Sequence, residues 1–87
     1  MNDNFEKCKE FFLLNGGKFI DQDDEYYNFD FQGFGISLAL DNSEIIFIDY
    51  SGDFAHINMN YYELIGFMIE NRMLGVGYKS IKESKDV

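Results

Sequence analysis

Residues 26–59, YYNFDFQGFGISLALDNSEIIFIDYSGDFAHINM, decide the fold. Tyr27, Phe29 and Phe31 alternate with Asn28, Asp30 and Gln32, the period-two pattern of a strand with one buried and one wet face. Beyond Gly33 the large residues move to even numbers, at Phe34, Ile36, Leu38 and Leu40, so one residue is absorbed within 33–35. A tight turn is expected there rather than a bulge, because glycine tolerates the positive φ that such turns require.

The polar run Asp41-Asn42-Ser43-Glu44 has the side chains that cap local backbone groups, and it is expected to close the next hairpin. Residues 45–48 are apolar on both parities and rich in β-branched side chains, which predicts a central strand covered on both faces. Ser51-Gly52-Asp53 supplies another turn, and 54–59 a last strand in which Ala55, Ile57 and Met59 alternate with His56 and Asn58. The stretch reads as a four-stranded antiparallel meander.

Outside it, Asp3 followed by Glu6 resembles a capping box. A helix is predicted over 4–14, with Phe5, Cys8 and Phe12 on one stripe and Asn15-Gly16-Gly17 as its stop. Residues 18–20 are a candidate fifth strand, and 21–25 an acidic loop. The pattern Asn60 to Glu63 repeats the capping signal and opens a second helix, expected to end near 74–75. Tyr61, Tyr62, Leu64, Ile65, Met68, Ile69 and Met73 fall within about half of its wheel and are expected to pack on the sheet. Phe67 and Leu74 point elsewhere, toward the sheet margin or another chain. Residues 75–78 are a candidate edge strand, and 79–87 read as a frayed tail. The expected architecture is a single α+β domain over 1–87: an N-terminal helix, an antiparallel four- to five-stranded meander, and a C-terminal helix packed on the sheet. Either the first helix or a homodimer contact is expected to cover the second face of 45–48.

With 87 residues, ten Phe and six Tyr, one core forms without disulfides or a structural metal. The single cysteine makes no internal disulfide, which favours a reducing compartment. No apolar stretch approaches bilayer length, and the first ten residues are polar and mixed in charge, so a soluble cytoplasmic protein is expected.

Few residues are suited to chemistry. Cys8 sits on an apolar helical stripe and reads as a buried hydrophobe. His56, the only imidazole, alternates outward with Asp49 and Asp53 nearby in sequence, so a His–carboxylate pair is the catalytic or metal-binding option. Asp21, Asp23, Asp24 and Glu25 do not match a calcium-binding EF-hand loop, since positions six and twelve from Asp21 hold Tyr26 and Gln32. Gly16-Gly17-Lys18 lacks the spacing of a phosphate-binding loop. No enzyme activity, cofactor or metal is expected.

What remains is charge. The chain has seven Lys and Arg against sixteen Asp and Glu, a net charge of −9. Between Phe19 and Asn71 there is no Lys or Arg, while that span carries eleven acids: Asp21, Asp23, Asp24, Glu25, Asp30, Asp41, Glu44, Asp49, Asp53, Glu63 and Glu70. Two like charges about 5 Å apart in water repel by roughly 0.8 kcal/mol, with screening over about 8 Å at physiological salt. One reading is a surface that only confers solubility. The other is a surface that meets the Lys/Arg-rich face of a protein that handles nucleic acid. Direct nucleic-acid binding is disfavoured, because attraction to phosphate needs clustered cations. Tyr26 and Tyr50, beside acidic turns, are candidate interface anchors or ordinary core.

In size, charge and lack of catalytic residues the chain is similar in kind to small acidic inhibitors of phages and mobile elements, including DNA mimics and some anti-CRISPR proteins. That similarity implies a protein-binding inhibitor that occupies the basic surface of a nucleic-acid-handling protein. The expected contact set is Asp21, Asp23, Asp24, Glu25, Tyr26, Asp41, Glu44, Asp49 and Asp53. The alternative is a structural or regulatory subunit, possibly homodimeric, whose contact is the apolar sheet face or Phe67.

Overall fold

The computed structural model describes residues 3–81. Helix α1 (Asn4–Leu14) begins where the Asp3 side chain accepts from the backbone N–H of Phe5 and Glu6. It ends in a Schellman closure. Gly17 N donates to Phe12 O at 2.7 Å and Gly16 N to Leu13 O at 3.4 Å, with Gly16 at φ +97°, where glycine is without steric penalty. Helix α2 (Tyr61–Glu70) is capped by Asn60, whose side chain accepts from Tyr62 and Glu63. The same closure stops it at Glu70, short of the expected 74–75: Met73 N donates to Met68 O at 2.7 Å and Arg72 N to Ile69 O at 3.0 Å. The left-handed residue there is Arg72, at φ +58°, so no glycine marks the end.

Between the helices lie β1 (Lys18–Gln22), β2 (Tyr26–Phe31), β3 (Phe34–Ala39), β4 (Glu44–Ile48) and β5 (Phe54–Asn58), in spatial order β1-β2-β3-β4-β5 and antiparallel throughout. The parity change expected at 33–35 is a two-residue turn. Phe31 pairs with Phe34, and Gln32 and Gly33 both take positive φ, at +54° and +88°. Turns with two left-handed residues match the right-handed twist of the flanking strands. The first strand extends beyond 18–20 and includes Asp21; its register with β2 shifts between Phe19 and Asp21.

Both helices pack on one face of the sheet. Phe12 of α1 lies with its ring centroid 5.6 Å from Phe29, 5.4 Å from Phe31 and 6.4 Å from Phe47, and is completely buried. Phe67 of α2 stacks 4.6 Å from Phe47, which settles its expected role in favour of the sheet margin. Phe11 meets Tyr61 at 5.7 Å and joins the two helices. The core is one cluster that contains Cys8, Phe29, Phe31, Ile36, Leu38, Ile45, Phe47, Leu64 and Met68.

Three expectations are corrected. The strand 45–48 is not covered on both faces: Ile45 and Phe47 are buried, but Ile46 is only half-buried and Ile48 is exposed. Because α1 joins α2 on the same side, no helix among the described residues covers the second face, and the apolar parity of β4 does not reflect a second layer. The apolar face of α2 is narrower than its wheel, since Tyr62 and Ile69 are exposed beyond the angle that the sheet and α1 together cover. Finally, 75–78 is no edge strand. This segment passes across the groove between the helices: Tyr78 packs on Phe11, Asn15 exchanges two bonds with the Lys79 backbone at 2.7 and 2.8 Å, and Ile81 N donates to the Tyr61 hydroxyl at 3.0 Å. Lys79–Ile81, expected to fray, is therefore fastened; residues 82–87 of that expected tail lie outside the described residues. Among the described residues no helix is long and apolar enough to cross a membrane.

Candidate protein-binding surface

In an antiparallel meander alternate turns emerge at the same end of the sheet. The β1–β2 turn and the β3–β4 turn therefore share one end, and the acids of each approach those of the other. Asp24, Glu25, Tyr26, Asp41, Ser43 and Glu44 line an open concavity of about 530 Å3 there. The two turns are tied together by Leu40 N, which donates to Glu25 O at 2.8 Å.

Several of these carboxylates build the turns that display them. Asp23 Oδ1 accepts from the backbone N–H of Glu25 and Tyr26 at 2.8 and 2.7 Å, bonds that hold its carboxyl below the usual value. Asp41 Oδ1 accepts from Ser43 N at 3.1 Å. On the bare face of the sheet Asp21 Oδ1 accepts from Asn28 Nδ2 at 2.8 Å, and Asn28 Oδ1 in turn accepts from the Ser37 hydroxyl at 2.6 Å. Glu44 is the hub. Its Oε1 lies 2.8 Å from His56 Nδ1, and its Oε2 accepts from the Tyr26 hydroxyl at 3.0 Å. These bonds, that from His56 first, hold Glu44 below its usual value, and the bond to Glu44 pushes the Tyr26 phenol up. Asp24 and Glu25 are exposed and their carboxylates have no hydrogen-bonding partner among the described residues.

This end also receives both helix N-termini. Asn42, in the β3–β4 turn, accepts from Phe5 N at 2.8 Å, and Asn4 of α1 accepts from Tyr61 N of α2 at 3.3 Å. A helix N-terminus carries about half a positive charge and stabilises a nearby carboxylate by about 0.3–1 kcal/mol. The helix dipoles at this end thus oppose part of the repulsion among these acids. Among the described residues Lys9 pairs with Glu6 and His56 with Glu44.

The expected contact set is divided. Asp21, Asp23, Asp24, Glu25, Tyr26, Asp41 and Glu44 gather at this end, but Asp49 and Asp53 lie in the β4–β5 turn at the opposite end, about 17 Å away for a five-residue strand. Asp49 serves its own turn, with Oδ1 accepting from Ser51 N, the Ser51 hydroxyl and Asp53 N, first among them the hydroxyl, and these bonds hold it below its usual value. His56 pairs with Glu44 and not with Asp49 or Asp53: Ile46 is its direct cross-strand neighbour, which puts Glu44 diagonally beside it. Tyr50 is almost fully exposed and forms no part of the core. Asn28 and Ser37, on the same face as His56, carried no assignment in sequence, and the outward parity of Asn28 was the only signal. Among the described residues no three His, Cys, Asp or Glu stand close enough to hold a metal ion.

Compared with models of protein families, with curated proteins and with solved structures, the chain gives no match.

Proposed function

We propose that this chain is an acidic protein-binding module that occupies the cationic surface of a nucleic-acid-handling partner, an inhibitor in the manner of DNA mimics. The observation that carries the reading is the convergence of the β1–β2 and β3–β4 turns, which sets Asp24, Glu25, Asp41 and Glu44 around one concavity. A concave acidic surface concentrates field and steers basic partners toward it. Tyr26, held by Glu44, presents a rigid aromatic edge at its rim.

The test is capture of partners on the immobilised chain. The recovered protein should be basic, should be displaced by added DNA, and should be released as salt rises from about 50 to 500 mM. The triple variant Asp24→Asn, Glu25→Gln, Asp41→Asn should lose capture while keeping its melting temperature, because the Asp24 and Glu25 carboxylates have no hydrogen-bonding partner among the described residues and an asparagine at 41 keeps an Oδ1 that accepts from Ser43 N. Binding indifferent to salt and to these substitutions overturns the reading.

A second reading has its own support. The bare sheet face exposes Ile48 and Phe54 beside the half-buried Ile46, an apolar strip suited to a structural or homodimeric contact in which the acids confer only solubility. An oligomer that survives dilution to about nanomolar, measured by mass in solution, favours it.

A further inference from the structure

The two edges of the sheet differ. β1 carries Lys18 and a register shift between Phe19 and Asp21, features that discourage another strand from adding. β5 carries neither. Its register with β4 runs unbroken from Glu44↔Asn58 to Ile48↔Phe54, and it contains no Lys or Pro. Asp49 N donates to Asp53 O at 2.9 Å and Met59 N to Ser43 O at 3.2 Å, so the odd-numbered residues face β4. The N–H and C=O groups of Phe54, His56 and Asn58 therefore point outward, and among the described residues they have no backbone partner.

Acids flank this edge. Asp53 precedes it, and α2 lies alongside. On α2, Tyr61 turns toward α1, where it meets Phe11; at 100° per residue Glu63, Phe67 and Glu70 occupy the opposite flank, and Phe67 rests on Phe47 of β4. Glu63 and Glu70 thus overlook the β5 side of the sheet. Antiparallel pairing of β5 with a second copy brings both pairs of glutamates together across the symmetry axis, which opposes self-association. A basic strand meets them favourably.

We infer that β5 is a docking edge for an extended, lysine- or arginine-bearing segment of the partner. The segment adds as a sixth strand along Phe54–Asn58; its backbone answers the outward groups of Phe54, His56 and Asn58, and its basic side chains on the helix side meet Glu63 and Glu70. This rests on the basic-partner reading and adds to it a mode of recognition and a second contact, away from the acidic turns.

The probe is a short fluorescent peptide alternating Lys and Val, titrated into the full chain, with a Glu–Val peptide as control. The Lys–Val peptide should bind by anisotropy and slow amide exchange at Phe54, His56 and Asn58. His56→Pro removes an outward N–H that the β4 ladder does not use and should weaken binding about tenfold or more, whereas His56→Ala should not. Should His56→Pro fail to fold, a Lys–Val peptide N-methylated at alternate amides makes the same test on the unaltered chain and should lose binding equally. Glu63→Gln with Glu70→Gln should weaken binding severalfold, more so at low salt. Equal binding of the methylated peptide, or perturbation confined to Asp24, Glu25, Asp41 and Glu44, overturns the edge and leaves the basic-partner reading standing. Equal binding of the Glu–Val peptide at the edge overturns the charge argument and that reading with it. Edge amides already protected in a dimer of the free chain identify a second copy as occupant and overturn the inference.

Discussion

His56 Nδ1 lies 2.8 Å from Glu44 Oε1, twelve residues earlier in the chain and one strand away on the bare face of the sheet. The contact is diagonal across β4 and β5, and the other oxygen of Glu44 accepts from Tyr26, so one carboxylate links three of the five strands.

Glu44 makes the fold sensitive to acid. Its hydrogen bonds from His56 and Tyr26 lower its pKa from 4.5, so the folded chain holds fewer protons on this group than the unfolded chain does just below that value. The stability it contributes is complete above 4.5 and is lost as pH falls through the lower folded value. Urea midpoints measured from neutral pH downward should show wild type above Glu44→Gln near neutrality, with the gap closing in acid. A gap independent of pH contradicts the assignment.

Arg72 holds the left-handed position that closes α2, at φ +58°, where Gly16 does the same for α1. Arg72→Gly removes the steric cost of that conformation and should raise stability by about 0.5–1 kcal/mol, while Gly16→Ala should lower it by about 1 kcal/mol. Gln32→Asn, at φ +54° in the two-residue turn, should stabilise by a few tenths to about 1 kcal/mol. Chemical denaturation of the three variants checks all three signs.

Phe12 is the ring on which α1, β2 and β4 meet. Phe12→Ala leaves a cavity beneath the helix and should cost about 3–5 kcal/mol, a large part of the roughly 5–15 kcal/mol that a small domain possesses. Its urea transition should move to low denaturant or vanish, with Phe12→Leu in between.

Burial pushes the Cys8 thiol up to about 12. A thiol reagent at pH 8 should leave the native chain unlabelled and react on addition of denaturant, at a rate set by unfolding. Rapid labelling of the native chain contradicts the packing of α1.

Asn15 fastens the segment that crosses the helix groove. Its side chain donates to Phe11 O and Lys79 O and accepts from Lys79 N. Asn15→Ala should cost about 1–2 kcal/mol and speed amide exchange at Lys79 and Ile81 before any strand amide responds.

Residues with short-range signals were legible. The parity change around Gly33, the caps at Asp3 and Asn60, and the glycine stop after α1 each act within a few residues, and each appears where expected. The end of α2 was not, because Arg72 adopts a conformation that side chains rarely take and is held there by its bond to Ile69 O and by that of Met73 N to Met68 O. The strand 45–48 misled for a different reason. Parity reports which side chains alternate, and it is blind to what lies opposite them, so the exposed Ile48 reads the same as a covered one.

The sequence by itself determined the order of the helices and meander strands, the alternation of the strands on either side of Gly33 and the concentration of acid between Phe19 and Asn71, because side-chain periodicity and turn chemistry are local properties. Only the tertiary structure decided that both helices share one face, that Glu44 rather than Asp49 or Asp53 meets His56, and that the acids divide between opposite ends of the sheet. These depend on register and on which side the chain crosses, and such choices are set by the burial of Phe12, Phe47 and Phe67 together in one core, a sum over distant residues that no local pattern encodes.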